Sequence, residues 1–527
     1  MNKNKTLSIC ALSLLGGAAS VQAETTRPNI LFVIMDDASY HHFSANGCSW
    51  VDTPNFDNIA RNGLRFANCY TPNAKSAPSR ACVLTGRNSW QLEEAGNHQP
   101  KFPAKYKVVT EALADADYRV GMTGKGWAPG DPGMKDGKKR ELTGTPYQKH
   151  KLTPPAKFIS SCDYVANLSD FLEDGAEDES WFFWFGVHEP HRRYEYGAGI
   201  KKGGKRLEDI DAVPKFWPDN EIVRTDMLDY AFEIEFFDKQ LGQMIDLLRE
   251  KDELENTLIL ITSDNGMPFP RVKANNYEYA NHMPFVMMWE KGITKPGRTI
   301  SDYVSFIDFT PTFLDVAGVS EQSSGMQPIE GESLVPIMTS NKEYRVVANR
   351  DYVILGRERC DYGREGNQGY PIRSIIKDSI LYLVNLKPHL YPAGNPETGY
   401  LDIDGSPTKT YLLEGHREHN ENFYYGLSMS KRPAEEMYDL KSDPYCMENL
   451  ADKSEYKKVK NKLKNQLFKI LKKQNDPRMG KNGDVFDNYS FDTENKWNFY
   501  ERVVSEEIKE PWKQTNWVDP TDYKQYK

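Results

Sequence analysis

Four short apolar runs stand out along the first half of the chain, at 29–35, 118–123, 181–187 and 257–262. None alternates with polar residues, so each reads as a strand covered on both faces, as in a parallel sheet. Between them the apolar spacing lengthens to that of a helix. Thr53-Pro54 opens one helical pattern, ending at Gly63, with Phe56, Ile59 and Ala60 on one face. A longer one covers 227–248 and repeats Leu228, Ala231, Ile234, Leu241, Ile245 and Leu248. Alternating strands and helices predict an α/β fold: a large, mostly parallel sheet between helical layers. The four runs are followed by Asp36-Asp37, Gly124-Lys125, His188 and Ser263-Asp264-Asn265. Sheets of this kind bind ligands beyond the carboxyl ends of their strands, so these four polar ends mark a candidate site.

Beyond about residue 365 the pattern changes. Residues 372–386 read as two short strands joined at Lys377-Asp378-Ser379, and 436–440 as another before a turn at Asp443-Pro444. An amphipathic helix over 455–473 aligns Val459, Leu463, Leu467 and Leu471, its lysines forming a solvated face. The tail after Gln474 is polar and dotted with aromatics. A catalytic α/β domain over 24–368 and a smaller α+β domain over 369–527 are therefore expected, which suits a chain of 527 residues. At the start, Lys3 and Lys5 precede an apolar run at 7–19 and the small-residue site Val21-Gln22-Ala23. Residues 1–23 read as a cleaved export signal, with the bacterial periplasm as expected destination. No segment approaches the ~20 apolar residues of a membrane span.

Composition changes this picture little. A hydrophobic share of 39% with 12% aromatics belongs to a folded protein. A net charge of −9 argues against a surface that wraps nucleic acid. Six cysteines follow the signal, with no paired or metal-type spacing, and predict no connectivity.

The chemistry centres on SAPSRACVLTGR, residues 76–87. With Pro78 in the first turn of a helix, Ser76 lies at or just before its N-cap. Free N–H groups and the helix dipole point at what binds there, and Arg80 falls on the same side. The combination suits a tetrahedral anion such as sulfate or phosphate. Asp36, Asp37, Asp264 and Asn265 offer only oxygen ligands, which suit Ca²⁺ or Mg²⁺ rather than zinc; alternatively they are cap and turn residues. Lys125 and Lys273 supply cations for an anionic ester, and His188 an acid for its leaving group. His191 is either a second pocket residue, beside Arg192, or a core histidine. His41, His42 and His282 have no such context and read as structural.

Together these motifs resemble the type I sulfatases of the alkaline phosphatase superfamily. The resemblance rests on Ser76-Ala77-Pro78-Ser79-Arg80 with Thr85-Gly86, and on RPNILFVIMDD, TGKGW, HEPH and TSDNG. It covers nearly all of the chain beyond the signal. It implies an alkaline-phosphatase-like fold and a Ca²⁺ ion held by Asp36, Asp37, Asp264 and Asn265, with residue 76 as a further ligand. It also implies oxidation of Ser76 to formylglycine (3-oxoalanine) by a radical-SAM maturating enzyme, the hydrated aldehyde then attacking sulfur. In the roles carried over, Arg80 steadies that group, Lys125 and Lys273 bind sulfate oxygens, and His188 protonates the leaving group.

TSDNGMPFP, HEPHR and YPIRSI are similar to the N-sulfoglucosamine sulfohydrolase subgroup. Trp127 departs from it, standing where the family usually has histidine, and Lys273 stands where the subgroup has arginine. The implied substrate is a sulfated saccharide of glycosaminoglycan or mucin type, N- or O-sulfated; an O-sulfatase on galactose or N-acetylgalactosamine is the alternative. The loop 356–363 is the candidate sugar-reading segment, through Arg357 and Glu358. A phosphoesterase on the same scaffold would be expected to carry more metal-binding His and Asp, and a non-catalytic relative to have lost Arg80, Lys125 or the aspartates.

Overall fold

A computed structural model describes residues 27–176 and 178–523. The export-signal segment 1–23 lies outside the described residues. The eight strands of the main sheet are β1 Asn29–Met35, β2 Leu64–Phe66, β3 Arg119–Gly124, β4 Thr145–Pro146, β5 Trp181–Gly186, β6 Thr257–Ser263, β7 Phe285–Met288 and β8 Arg298–Ile300. Their spatial order is β8-β2-β7-β6-β1-β5-β3-β4, and only β7 runs antiparallel to its neighbours. The four apolar runs are thus β1, β3, β5 and β6, which lie side by side at the centre. β1 and β6 are in register from Asn29↔Thr257 to Met35↔Ser263, so their polar ends arrive together.

Strand alternation divides the core into two layers. Leu31, Val33 and Met35 face one side, where the 30-residue helix Glu221–Glu250 lays down Leu228, Ala231, Ile234 and Leu241. Ile30, Phe32 and Ile34 face the other, against the helix Ser76–Thr85 and against Phe309 and Phe313. All ten residues of Ser76–Thr85 are buried. That explains why its sequence shows no amphipathic stripe: it is covered all round.

A second, antiparallel sheet has the order β9 Tyr352–Arg357, β10 Ile372–Lys377, β11 Ile380–Asn385 and β12 Glu435–Asp439. Its first strand lies before residue 369 and takes in Gly356 and Arg357, which the sequence placed in a loop. The β10–β11 hairpin closes through Asp378 and Ser379, both at positive φ (51° and 62°), the conformation that a two-residue hairpin turn requires. One face of this sheet carries the helix Lys457–Lys473 through Leu463, Leu467 and Leu471. Val459, expected on that stripe, is 40% exposed, because the packed face ends at Leu463. The other face meets Tyr70, Tyr277 and Tyr303 of the larger unit.

Candidate active site

The ends of β1 and β6 and the start of helix Ser76–Thr85 converge. Asp37 takes φ 78°, which turns the chain sharply after Asp36. Its N–H donates to Asp264 Oδ1 at 3.1 Å, and Ala38 N–H donates to Ser263 Oγ at 2.7 Å, tying the two strand ends together. Asp36, Asp37 and Asp264 are buried, with one oxygen from each lying within 4.8 Å of the others. Asn265 donates to Asp37 Oδ1 at 2.7 Å, and its own Oδ1 lies 3.5 Å from Ser76 Oγ.

Ser76 is the first helical residue rather than the N-cap or its predecessor. Lys75 takes the cap position in extended conformation, and Pro78 falls at the third position, where an N–H would have no helical partner anyway. Ser76 Oγ donates to Asp36 Oδ1 at 2.9 Å and accepts from Lys125 Nζ at 3.2 Å. Lys125 also pairs with Asp36. Glycines bring it there: Lys125 N–H donates to Gly186 O at 2.7 Å, and a Cβ on Gly124 (φ 69°) would sit 1.9 Å from that oxygen. β3 and β5 could not approach so closely with side chains at those positions.

Arg80 does not face the anion, as the sequence spacing suggested. Its Nε donates to Asp264 Oδ2 at 2.8 Å, and its Nη1 to Lys125 O and Gly126 O at 2.8 and 3.1 Å. The guanidinium is buried behind the site and fixes an aspartate and the turn bearing Lys125. Trp127, on the same turn, donates from its indole to Ala77 O at 3.0 Å, and so braces the residue after Ser76. Lys273 is buried, with Asp37 Oδ2 and Asp404 Oδ2 each 2.7 Å from Nζ.

These cations set the charges. Burial alone would raise the Asp36 carboxyl, but Lys125, His191, Arg80 and Lys273 hold it well below the usual range. Burial and the charge of Asp36 push Asp264 up to about 6, against the pull of Arg80. Burial lowers the affinity of Lys273 for its proton, yet the charges of Asp37 and Asp404 outweigh it and raise it. His188 stands in the cavity wall with its side chain open to the cavity. Burial of the ring in that wall pulls it down to about 4; the charge of Asp36 opposes that, and Lys125 and Arg80 add to it.

The site opens into a cavity of about 610 Å³, lined among others by Ser76, Lys125, His188 and Lys273. His191 is a pocket residue: partly exposed, it lines the cavity, with Nε2 3.8 Å from Asp37 Oδ2. Arg192 reaches the wall, but its guanidinium is committed to Asp226 (2.7 and 2.8 Å) and to Pro268 O at 2.8 Å. The expectation that Arg357 and Glu358 read the sugar is corrected. Arg357 is buried against Asp402 and Pro392 O, Glu358 against Arg373 and Arg478, and neither is among the lining residues.

The same loop reaches the cavity through Asp361 instead, which Lys75 (3.0 Å) and Gln99 (2.6 Å) hold beside His98 (3.5 Å). Asp404, held by Lys273 beside Asp37 and His191, and Asn516 and Trp517 complete the lining. Of these residues only Asp361 had a signal in the sequence, as a member of the loop 356–363; Lys75, His98 and Gln99 come from the segments flanking the helix Ser76–Thr85, and Asp404, Asn516 and Trp517 from the C-terminal half.

The donor set fits a hard divalent cation: Asp36, Asp37, Asp264 and the amide oxygen of Asn265 offer oxygen alone, buried and convergent. A family model described as Sulfatase matches residues 28–319. Human N-sulphoglucosamine sulphohydrolase is 26% identical, over 89% of this chain and 94% of its own length. An N-acetylglucosamine-6-O-sulfatase of Bacteroides thetaiotaomicron is 25% identical, over 89% of this chain and 91% of its own. A solved structure described as a complex with its substrate D-glucosamine-2-N,6-O-disulfate superposes with a TM-score of 0.62 at 21% identity, covering 85% of this chain and 98% of that one.

Proposed function

The chain belongs to the sulfatase family, a group of sulfuric ester hydrolases with the alkaline-phosphatase-like fold, and on that premise we propose that it removes sulfate from a glycosaminoglycan-type saccharide. The nucleophile is a formylglycine made from Ser76 by a radical-SAM enzyme, and Asp36, Asp37, Ser76, Asp264 and Asn265 hold a Ca²⁺ ion. The observation that carries this reading is the convergence of the Ser76 hydroxyl, four oxygen ligands and two ammonium groups at one end of a cavity. An ion held by these residues would supply positive charge beside the sulfate, and a hydrated aldehyde at position 76 would supply a more acidic hydroxyl than serine.

The chain's own residues do the rest. Lys125, already hydrogen-bonded at position 76, steadies negative charge where the nucleophile forms. An ammonium has three N–H groups, and Lys273 spends two on Asp37 and Asp404. The third is left for a sulfate oxygen. His188 is neutral in the empty site; an arriving sulfate adds the negative charge that raises its proton affinity and lets it protonate the leaving group. Export to a bacterial periplasm, read from residues 1–23, would place the enzyme where such glycans arrive.

Both N-sulfo and 6-O-sulfo glucosamine are candidates, since the two relatives above act on different linkages by name. Sulfate release by enzyme co-produced with a maturase, from N-sulfated and 6-O-sulfated glucosamine in parallel, tests the reading. Release from one of them is expected. Release from galactose or N-acetylgalactosamine sulfates alone would overturn the glucosamine assignment, and release from none would overturn the function.

A further inference from the structure

Phe158 is out of place for a phenylalanine. It takes φ 74°, a region that bulky side chains rarely adopt, and leaves 61% of its surface exposed. Its neighbours hold it there. Ala156 and Ile159 are buried on either side. Lys157 N–H donates to Glu195 Oε2, and Ser160 N–H to Glu189 Oε1, both at 2.7 Å. The strain is thus borne by an anchored loop, with the ring turned outward between fixed points.

The ring borders two cavities: the catalytic one, and a smaller one of about 200 Å³. The smaller cavity shares Phe158 and Arg192 with its neighbour and adds Arg193, Tyr194 and Tyr196. Tyr196 is 51% exposed. Arg193, half exposed, donates to the carbonyl of Asn516 at 3.1 Å, and Asn516 lines the catalytic cavity. Two accessible aromatic rings and a half-exposed guanidinium, which also pairs with Asp519 at 3.6 Å, therefore continue the catalytic cavity outward. Exposed aromatics grouped in this way mark a binding surface. The C–H face of a pyranose is an apolar plane that covers such a ring, and the guanidinium suits a carboxylate or sulfate on it.

We propose that Phe158, Tyr196 and Arg193 form a second saccharide position, which holds the sugar next to the one being desulfated, so that the enzyme takes oligosaccharides in preference to monosaccharides. This rests on the reading of the substrate as a sulfated saccharide. The rigid loop favours it, because a platform already fixed costs less ordering on binding.

The test compares matured wild type with Phe158→Ala, Phe158→Gly (a residue at ease at this φ), Tyr196→Ala and Arg193→Met. The probes are a 6-O-sulfated, N-sulfated glucosamine monosaccharide and heparin-derived tetrasaccharides. Melting temperatures check that each variant is folded. Wild type should favour the tetrasaccharide in kcat/KM. Each aromatic variant should lose up to about tenfold on it and nothing on the monosaccharide. Arg193→Met should lose only on chains charged at the neighbouring sugar. Equal kcat/KM on both probes in wild type, or equal losses on both in the variants, would overturn the second position and leave the sulfatase reading intact. Absence of sulfate release from both probes would overturn the glucosamine assignment and with it the second position.

Discussion

Lys273 is the cation on which the charge balance of the site turns, and replacing it by methionine is the sharpest perturbation available. The ammonium lies 2.7 Å from both Asp37 and Asp404, and all three side chains are buried. Methionine keeps most of the volume and removes the charge, leaving two buried carboxylates unpaired. Breaking a buried pair in this way costs about 3–5 kcal/mol, more than the pair itself contributes. In EDTA, Lys273→Met should melt several degrees below wild type. Calcium should restore part of the loss, because the ion compensates Asp37 and leaves Asp404 unpaired. Adding Asp404→Asn removes the remaining stranded charge, so the double variant should regain about 1–3 kcal/mol over the lysine variant alone. Neither variant should recover sulfate release, since both lack the third Lys273 N–H that we propose meets a sulfate oxygen. Thermal melts in EDTA and in calcium, with sulfate release by ion chromatography, read all of this. A lysine variant as stable as wild type in EDTA, or strictly additive costs in the double variant, would refute the charge argument.

Other consequences follow from single contacts. His188→Gln should lower kcat by about 10²–10⁴ on saccharide sulfates, as expected on losing a general acid. It should lose far less on an aryl sulfate whose leaving group needs no proton, and equal losses on both would remove His188 from that role. Arg357→Met should lower thermal stability modestly, because Asp402 loses one guanidinium but keeps Arg364 and the Asp361 N–H, while leaving KM unchanged; a raised KM in a stable variant would return Arg357 to the sugar site. Burial opposes ionisation of Glu435, but hydrogen bonds from Lys464, Tyr382 and Lys460 hold it down at about 2. Its stabilising contribution is therefore present above its ordinary value near 4.5 and fades as pH falls towards 2. Glu435→Gln should erase that part of the acid limb in pH-dependent melts, and a wild-type-minus-variant difference that does not change with pH would contradict it.

The central sheet was legible because its strands are covered on both faces and leave continuous apolar runs. β2, β4 and β8 are only two or three residues long and leave no periodicity to read. The helix Ser76–Thr85 was found through its end signals, Pro78 in the first turn and Gly86 after the last, since total burial removes the amphipathic signal. The aspartates, Lys125 and His188 were visible because strand ends carry them to one place. The rest of the cavity wall was legible only in part: the loop 356–363 does reach it, through Asp361, whereas Asp404 and Trp517 lie hundreds of residues from Ser76 and are placed by how the chain after the second sheet's hairpin folds back. Arg357 and Glu358 illustrate the converse. Charged residues in a loop beside a site read as ligands, yet their partners Asp402, Arg373 and Arg478 are supplied by distant segments and take up their charge.

The claim that Ser76 is a precursor, not the working group, is tested most directly by the mass of the peptide that contains it. Active enzyme purified from a host with the maturase should yield that peptide lighter by two hydrogens, in proportion to its specific activity. Full activity from protein whose Ser76 peptide carries an intact hydroxyl would contradict the account.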